Sequence, residues 1–301
     1  MLKVPATSTQ YRGRFAPSPT GPLHLGSLIA ALASYLDARQ RAGTWLVRME
    51  DLDPPREEPG AADRILNGLR CHGLQWDEDV LFQSTRSATY KAALTMLDEA
   101  GHLFACDCSR AMLSADGSCI RHCRTRQGAI SGPGAIRTMV PPDCEIQFRD
   151  GLQGPQHTAL GKVVTDFIVR RKDGLNAYQL AVVVDDAEQG ITDVVRGSDL
   201  LDSTPRQIFL QQLLAKPTPR YFHLPVLTTS QGQKFSKQNL APALDNEKAT
   251  YNLRRALRFL HQHEPPNSLT SVDSVLIHAV EHWSPTRVPI AMAISSDSIG
   301  L

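Results

Sequence analysis

The sequence predicts an α/β fold built on a doubly wound parallel sheet. Three observations carry that expectation. The chain opens with a strand, helix, strand alternation between Tyr11 and Glu50, and apolar strand-like runs return after residue 135. Between them lies a Cys- and Gly-rich stretch too irregular to join a sheet, which reads as an insertion.

Taken in order, Tyr11 to Ala16 has the composition of a short strand. The periodic apolar residues of LGSLIAALASYLDARQRAG predict a helix ending at Gly43, a natural C-cap. TWLVRME reads as the second strand and completes a βαβ unit. The proline-rich turn DLDPPREEPG leads into helices expected from Ala61 to Cys71 and from Ser87 to Glu99. After the insertion, AIRTMV and EIQFRD read as strands. TDFIVRR and LNAYQLAVVVDD have buried-strand composition, and a helix is expected from Thr204 to Leu214. LTTSQGQKFSKQ is a loop, followed by helices over Lys248 to His263 and Ser271 to His282; the last fifteen or so residues carry no readable pattern. The division expected from this is a first half of the main domain over 1–104, an insertion over 105–134, a second half over 135–240 and a short helical region over 241–301.

With 301 residues, 42% of them hydrophobic, the chain can bury the core of one large or two modest domains. The 32 basic and 31 acidic residues give a net charge of +1. No global field demands or excludes a nucleic-acid partner, and any basic surface must be local. No apolar run approaches the roughly 20 residues that span a bilayer, and the N-terminus lacks a signal-peptide pattern. A cytoplasmic protein without membrane contact, expected to be a monomer, follows.

The stretch RFAPSPTGPLHLGSL, Arg14 to Leu28, places prolines, glycines and a lone histidine immediately before a helix. In a βαβ unit that junction exposes N–H groups and the positive end of a helix dipole, which favour phosphate. His24 can donate to a phosphate oxygen there. Gly26, having no side chain, lets a nucleotide base lie against the backbone.

The same stretch resembles the signature of class I aminoacyl-tRNA synthetases in its glutamyl form, HLGS being a variant of the HIGH motif. KFSKQ, Lys234 to Gln238, resembles the KMSKS loop that closes over ATP in that class. The likeness extends from about residue 11 to 240 through RMEDLDPPR, AYQLAVVVDD and VRGSDLL. The chain ends 63 residues past Gln238, whereas full glutamyl enzymes continue into anticodon-binding domains. It is therefore most similar to the short branch that attaches glutamate to queuosine in the anticodon loop of tRNA(Asp).

The resemblance implies a Rossmann-type catalytic domain, ATP as a substrate with Mg²⁺ on its phosphates, and attack of a glutamate carboxylate on the α-phosphate. His24 and Lys237, with Lys234 assisting, are the expected catalytic donors, and His24, Gly26 and Lys237 the expected ATP contacts. For glutamate it implies Arg14, Phe15, Ala16, Pro17 and Ser18 of the opening motif, with Glu50, Tyr178 and Arg196. Arg14, Ser18 and Arg196 would meet the carboxylates, and Glu50 the ammonium.

Four of the six cysteines fall in CDCSRAMLSADGSCIRHC, as Cys106 and Cys108, then Cys119 and Cys123. Two close pairs across a short loop can close a tetrahedral thiolate site, and one structural zinc suits four soft ligands. His122 is a competing ligand. The synthetase family often has a tyrosine where Cys119 stands. Cys71 and Cys144 read as buried small hydrophobes.

Two further readings stay open: a truncated glutamyl-tRNA synthetase charging an ordinary 3′ end, and a noncatalytic tRNA-binding relative. Both nucleotide motifs, together with Glu50, speak against the latter. The helix around NLRRALRF carries Arg254 and Arg258 on one face with Arg255 beside them, which suits an RNA backbone or a solvated surface.

Overall fold

Period-two alternation in the central strands decides which side chains reach which face of the sheet. The computed structural model describes residues 10–113, 117, 119, 123–125, 133–163, 166–229, 231 and 242–299. In chain order the elements are β1 (Arg12–Phe15), α1 (Leu25–Gln40), β2 (Thr44–Met49), α2 (Ala61–Cys71), β3 (Leu81–Phe82), α3 (Ser87–Glu99), β4 (Leu103–Cys106) and β5 (Ala135–Thr138). Then come β6 (Ile146–Asp150), β7 (Gly154–Thr158), α4 (Leu160–Val163), β8 (Phe167–Arg170), α5 (Tyr178–Glu188), β9 (Asp193–Gly197) and α6 (Thr204–Leu213). The chain continues through β10 (Arg220–Leu224), β11 (Val226–Thr228), α7 (Ala249–Phe259), α8 (Val272–Glu281) and β12 (Ala293–Ser295).

Seven strands form the main sheet in the order β3-β2-β1-β9-β10-β6-β7. All pairings are parallel except the β6–β7 hairpin. The sheet is thus a mixed α/β sheet with a parallel centre. Strand order reverses between β1 and β9, the position at which open α/β sheets leave a crevice beyond their C-terminal ends. β4, β5 and β8 form a separate antiparallel sheet.

Two cores cover the main sheet. On one face Trp45, Val47 and Met49 of β2 pack with Leu28, Leu32 and Leu36 of α1 and with α7 and α8. On the other, Leu46 packs with Leu180 to Val184 of α5 and with Ile208 and Phe209 of α6. Each fully buried leucine or valine contributes about 1.5–3 kcal/mol. The alternation sends Arg14, Arg48 and Arg196 to the α5 side, where Phe15, Val47 and Val195 face away from it.

Two expectations change. LNAYQLAVVVDD forms helix α5 rather than a strand: Leu180 to Val184 are all buried, so no polar face interrupts the run and its helical period is hidden. Helix α1 ends at Gln40, and Ala42, not Gly43, takes the left-handed backbone, with φ of 49°. Gly43 is required for another reason: a Cβ there would lie 2.6 Å from the Tyr11 carbonyl oxygen. Near the C-terminus, β12 pairs in parallel with β11, a strand that the sequence pattern left unread. Among the described residues no helix is long and apolar enough to cross a membrane.

Candidate active site

A cleft of 440 Å³ opens at the C-terminal ends of β1, β9 and β10, at the reversal of strand order. Its lining includes Arg14, Phe15, Ala16, Ser18, His24, Gly26, Glu50, Tyr178 and Arg196. Pro17 is buried outside the lining, and its carbonyl accepts the Glu50 N–H at 2.9 Å, which fixes the start of the loop after β2. Lys234 and Lys237 lie outside the described residues, as do Gln238 and His122.

His24 is the N-cap of α1. Its Nδ1 accepts the Ser27 N–H at 3.3 Å, and its own N–H donates to Ser27 Oγ at 2.9 Å. A ring whose Nδ1 accepts carries its proton on Nε2 when neutral. The cap therefore presents a donor at a helix N-terminus within the cleft.

Arg14 and Arg48 rise from adjacent strands, Arg14 being paired in register with Leu46. Both reach Asp186 of α5: Arg14 Nε lies 3.0 Å and Arg48 Nη2 2.6 Å from the same Oδ1. Burial would raise the Asp186 carboxyl, but the two cations outweigh it and hold it below the usual range. Arg48 Nε stands 3.7 Å from Glu50 Oε1, an ion pair without a hydrogen bond. Those two atoms are buried and lack hydrogen-bond partners. Burial lifts Glu50 to about 7 against the pull of Arg48 and Arg14, with Asp186 and Asp185 adding to the rise. Neighbouring Asp185 is equally buried but turns to other partners, accepting from Tyr90 at 2.6 Å and Gln83 at 2.8 Å.

Arg196 crosses the cleft floor from β9. Its Nη2 donates to Thr204 Oγ1 at 2.8 Å, its Nε to His223 Nε2 at 3.0 Å, and its Nη1 stands 3.4 Å from the Tyr178 hydroxyl. Tyr178 is the first residue of α5. The cleft thus combines the guanidinium groups of Arg14, Arg56 and Arg196, the carboxylates of Glu50 and Asp199, the former without a hydrogen bond on Oε1, and a helix N-terminus. That set suits a zwitterion bearing a second carboxylate, beside a phosphate.

Arg48, Asp186 and His223 are the residues that motif reading passed over. A signal existed: each is a charged or polar residue inside an apolar run (TWLVRM, AVVVDD and RYFHL), and a buried charge requires a partner.

The four cysteines meet at the end of β4. Their sulfurs all lie within 4.8 Å of one another, with Cys108 Sγ 3.4 Å from Cys119 and 3.7 Å from Cys123. Tetrahedral coordination at a metal–sulfur distance of about 2.3 Å spaces sulfurs by about 3.8 Å, so this cluster could hold a metal ion and is compatible with zinc. Burial, followed by contacts with the neighbouring thiols, pushes the Cys108 thiol up, an effect a divalent cation would reverse. Cys71 and Cys144 are partly exposed rather than buried.

Arg254 and Arg258 do not form a basic stripe. Arg254 donates to the carbonyls of Pro266 at 2.9 Å and Leu269 at 2.7 Å, and Arg258 pairs with Glu264 at 3.0 Å. Both are occupied within the fold.

The family described as tRNA synthetases class I (E and Q), catalytic domain, matches residues 10–259. The chain is 51% identical over 288 residues to the glutamyl-Q tRNA(Asp) synthetase of Neisseria meningitidis serogroup C, covering 93% of this chain and 97% of that protein. It is 52% identical over 286 residues to the protein of the same name from Xanthomonas campestris, covering 94% and 95%. In fold it is similar to a glutamate-tRNA synthetase from Elizabethkingia anophelis, with a TM-score of 0.79 at 23% identity over 96% of this chain and 69% of that one. The chain belongs to the class I tRNA synthetases of the E and Q catalytic-domain family, and it is an aminoacyl ligase.

Proposed function

We propose that the protein activates glutamate with ATP as glutamyl-adenylate and transfers the glutamyl group to queuosine in the anticodon loop of tRNA(Asp). The observation that carries the activation step is the charge pattern of the cleft: Arg14 and Arg196 for carboxylates, Glu50 for the ammonium, and the α1 N-terminus with His24 for phosphate. The acceptor is inferred from the printed names of relatives at about half identity.

A glutamate carboxylate oxygen attacks the α-phosphorus, the bond to the bridging oxygen breaks, and pyrophosphate leaves. Negative charge grows on the phosphate oxygens, where the His24 Nε2–H and the N-terminal amides of α1 would stabilise it. Lys237, with Lys234 assisting, would add cations from the KFSKQ loop, and Gly26 would leave room for the adenine. Mg²⁺ would screen the phosphate charges. Phe15, Ala16 and Ser18 would shape the amino-acid pocket at the end of β1, and Pro17 would hold Glu50 in place through its carbonyl. Zinc on Cys106, Cys108, Cys119 and Cys123 would tie the segment after β4 and act structurally.

Glutamate-dependent exchange of pyrophosphate into ATP, run without tRNA, tests activation. Labelled glutamate should then join tRNA(Asp) carrying queuosine, remain with the anticodon-loop fragment after nuclease digestion, and fail to join the same tRNA with guanosine at that position. Charging of unmodified tRNA(Glu) at its terminal ribose would make the truncated-synthetase reading correct.

A further inference from the structure

The strand beside Arg196 supplies the group that aims it. In the parallel ladder of β9 and β10, His223 is the register partner of Arg196, and both side chains rise on the α5 side. His223 is wholly buried against two partners of fixed polarity and against the Thr204 hydroxyl, which lies 3.2 Å from its Nε2 and can donate or accept. Its Nδ1 is 2.6 Å from Asp150 Oδ2, and its Nε2 is 3.0 Å from Arg196 Nε.

A guanidinium only donates, and a carboxylate only accepts. The imidazole satisfies both only as the Nδ1–H tautomer, whose Nε2 lone pair receives the Arg196 N–H. Asp150 is suited to remain ionised, because its Oδ1 also accepts from the backbone N–H groups of Leu152 at 3.0 Å, Gln153 at 2.8 Å and His223 at 3.2 Å. Burial works against its ionisation, and these donors with His223 outweigh it.

We propose that Asp150 and His223 are positioning residues that hold the Arg196 guanidinium in the orientation that receives a carboxylate of the amino-acid substrate. The inference rests on the reading of Arg196 as a glutamate contact. Held by Nε on His223 and by Nη2 on Thr204, the guanidinium has little rotamer freedom left to lose on binding. Without the His223 acceptor, Nε would lose its partner and the guanidinium would be held through Nη1 and Nη2 alone.

Asp150→Asn tests the arrangement in the full chain. The new amide can keep the three backbone donors on its oxygen only by turning its NH₂ toward His223. That turn forces the Nε2–H tautomer and sets two donors against each other at Arg196. Long-range ¹⁵N–¹H NMR should find His223 protonated on Nδ1 in the parent and on Nε2 in the variant. A parent protonated on Nε2 would overturn the proposal.

In pyrophosphate exchange, Asp150→Asn should raise the glutamate KM by about tenfold to a hundredfold, the loss of one charged hydrogen bond, with the ATP KM within about twofold. An unchanged glutamate KM in the folded variant would also overturn it. Should Asp150→Asn not fold, His223 supplies the second comparison. His223→Gln can place an oxygen near the Nε2 position and should retain most of the glutamate affinity, whereas His223→Asn reaches only Asp150 and should not. Equal glutamate KM values in those two variants, or parallel shifts in both substrates' KM, would mean a purely structural role. Arg196→Lys separates the two layers of the argument. If it leaves the glutamate KM unchanged, the glutamate reading of Arg196 fails, while the tautomer measurement still decides the positioning pair.

Discussion

Arg48 and Glu50, two residues apart at the end of β2, bring Nε and Oε1 to 3.7 Å without forming a hydrogen bond. The carboxylate is buried beside a cation that Asp186 already holds. It lacks a strong partner of its own, so its ionisation near pH 7 depends on what enters the cleft.

The first prediction follows from that balance. Only the ionised Glu50 can take an ammonium, so the glutamate KM should rise by roughly tenfold per unit as pH falls from about 6 to about 5. Folding runs the other way. The folded carboxyl sits at about 7 against an ordinary 4.5, so the folded chain binds more protons in that window, and Glu50's contribution to stability is present below it and lost as pH rises through it. Glu50→Gln should bind glutamate poorly at every pH and show a flat profile. A parental profile in that variant would show that another group titrates.

Asp186→Asn should destabilise the fold by about 3–5 kcal/mol, because it leaves Arg14 and Arg48 as buried cations without a full counter-charge. Urea unfolding measures this as a lower midpoint with an unchanged slope. A loss below about 1 kcal/mol would mean that water reaches the guanidinium groups.

Metal analysis of the purified protein should find about one zinc per chain. Cys108→Ser should lower that content, since Cys108 contacts both Cys119 and Cys123, and a chelator should lower the melting temperature. Metal-free protein with all four thiols open to alkylation in the folded state would refute the site.

The opening βαβ unit was legible because its apolar periods switch cleanly between strand and helix, whereas the RFAPS residues were reached through the motif's resemblance to the synthetase signature; of these the cleft is lined by Arg14, Phe15, Ala16 and Ser18. The cysteine cluster was legible because short spacings bring thiols together whatever the fold. The roles of Asp186 and His223 were not, since they depend on partners 138 and 27 residues away. Nothing local announces which strand will lie beside which. Helix α5 was misread for a related reason: three consecutive valines have strand propensity, and only burial on all sides, a tertiary fact, makes them helical.

The last prediction separates two roles of His24. It caps α1 through Nδ1, a contact worth roughly 0.5–2 kcal/mol, and in the proposed reaction its Nε2–H would donate to phosphate. His24→Ala removes both. His24→Asn keeps a capping oxygen and loses only the donor that reaches into the cleft. Both variants should slow pyrophosphate exchange by about two orders of magnitude, the scale for one donor aimed at developing charge. Only His24→Ala should also lower the melting temperature. If His24→Asn exchanges pyrophosphate at the parental rate, the histidine is a cap alone, and the phosphate charge must be met by the α1 amides and the lysines of KFSKQ.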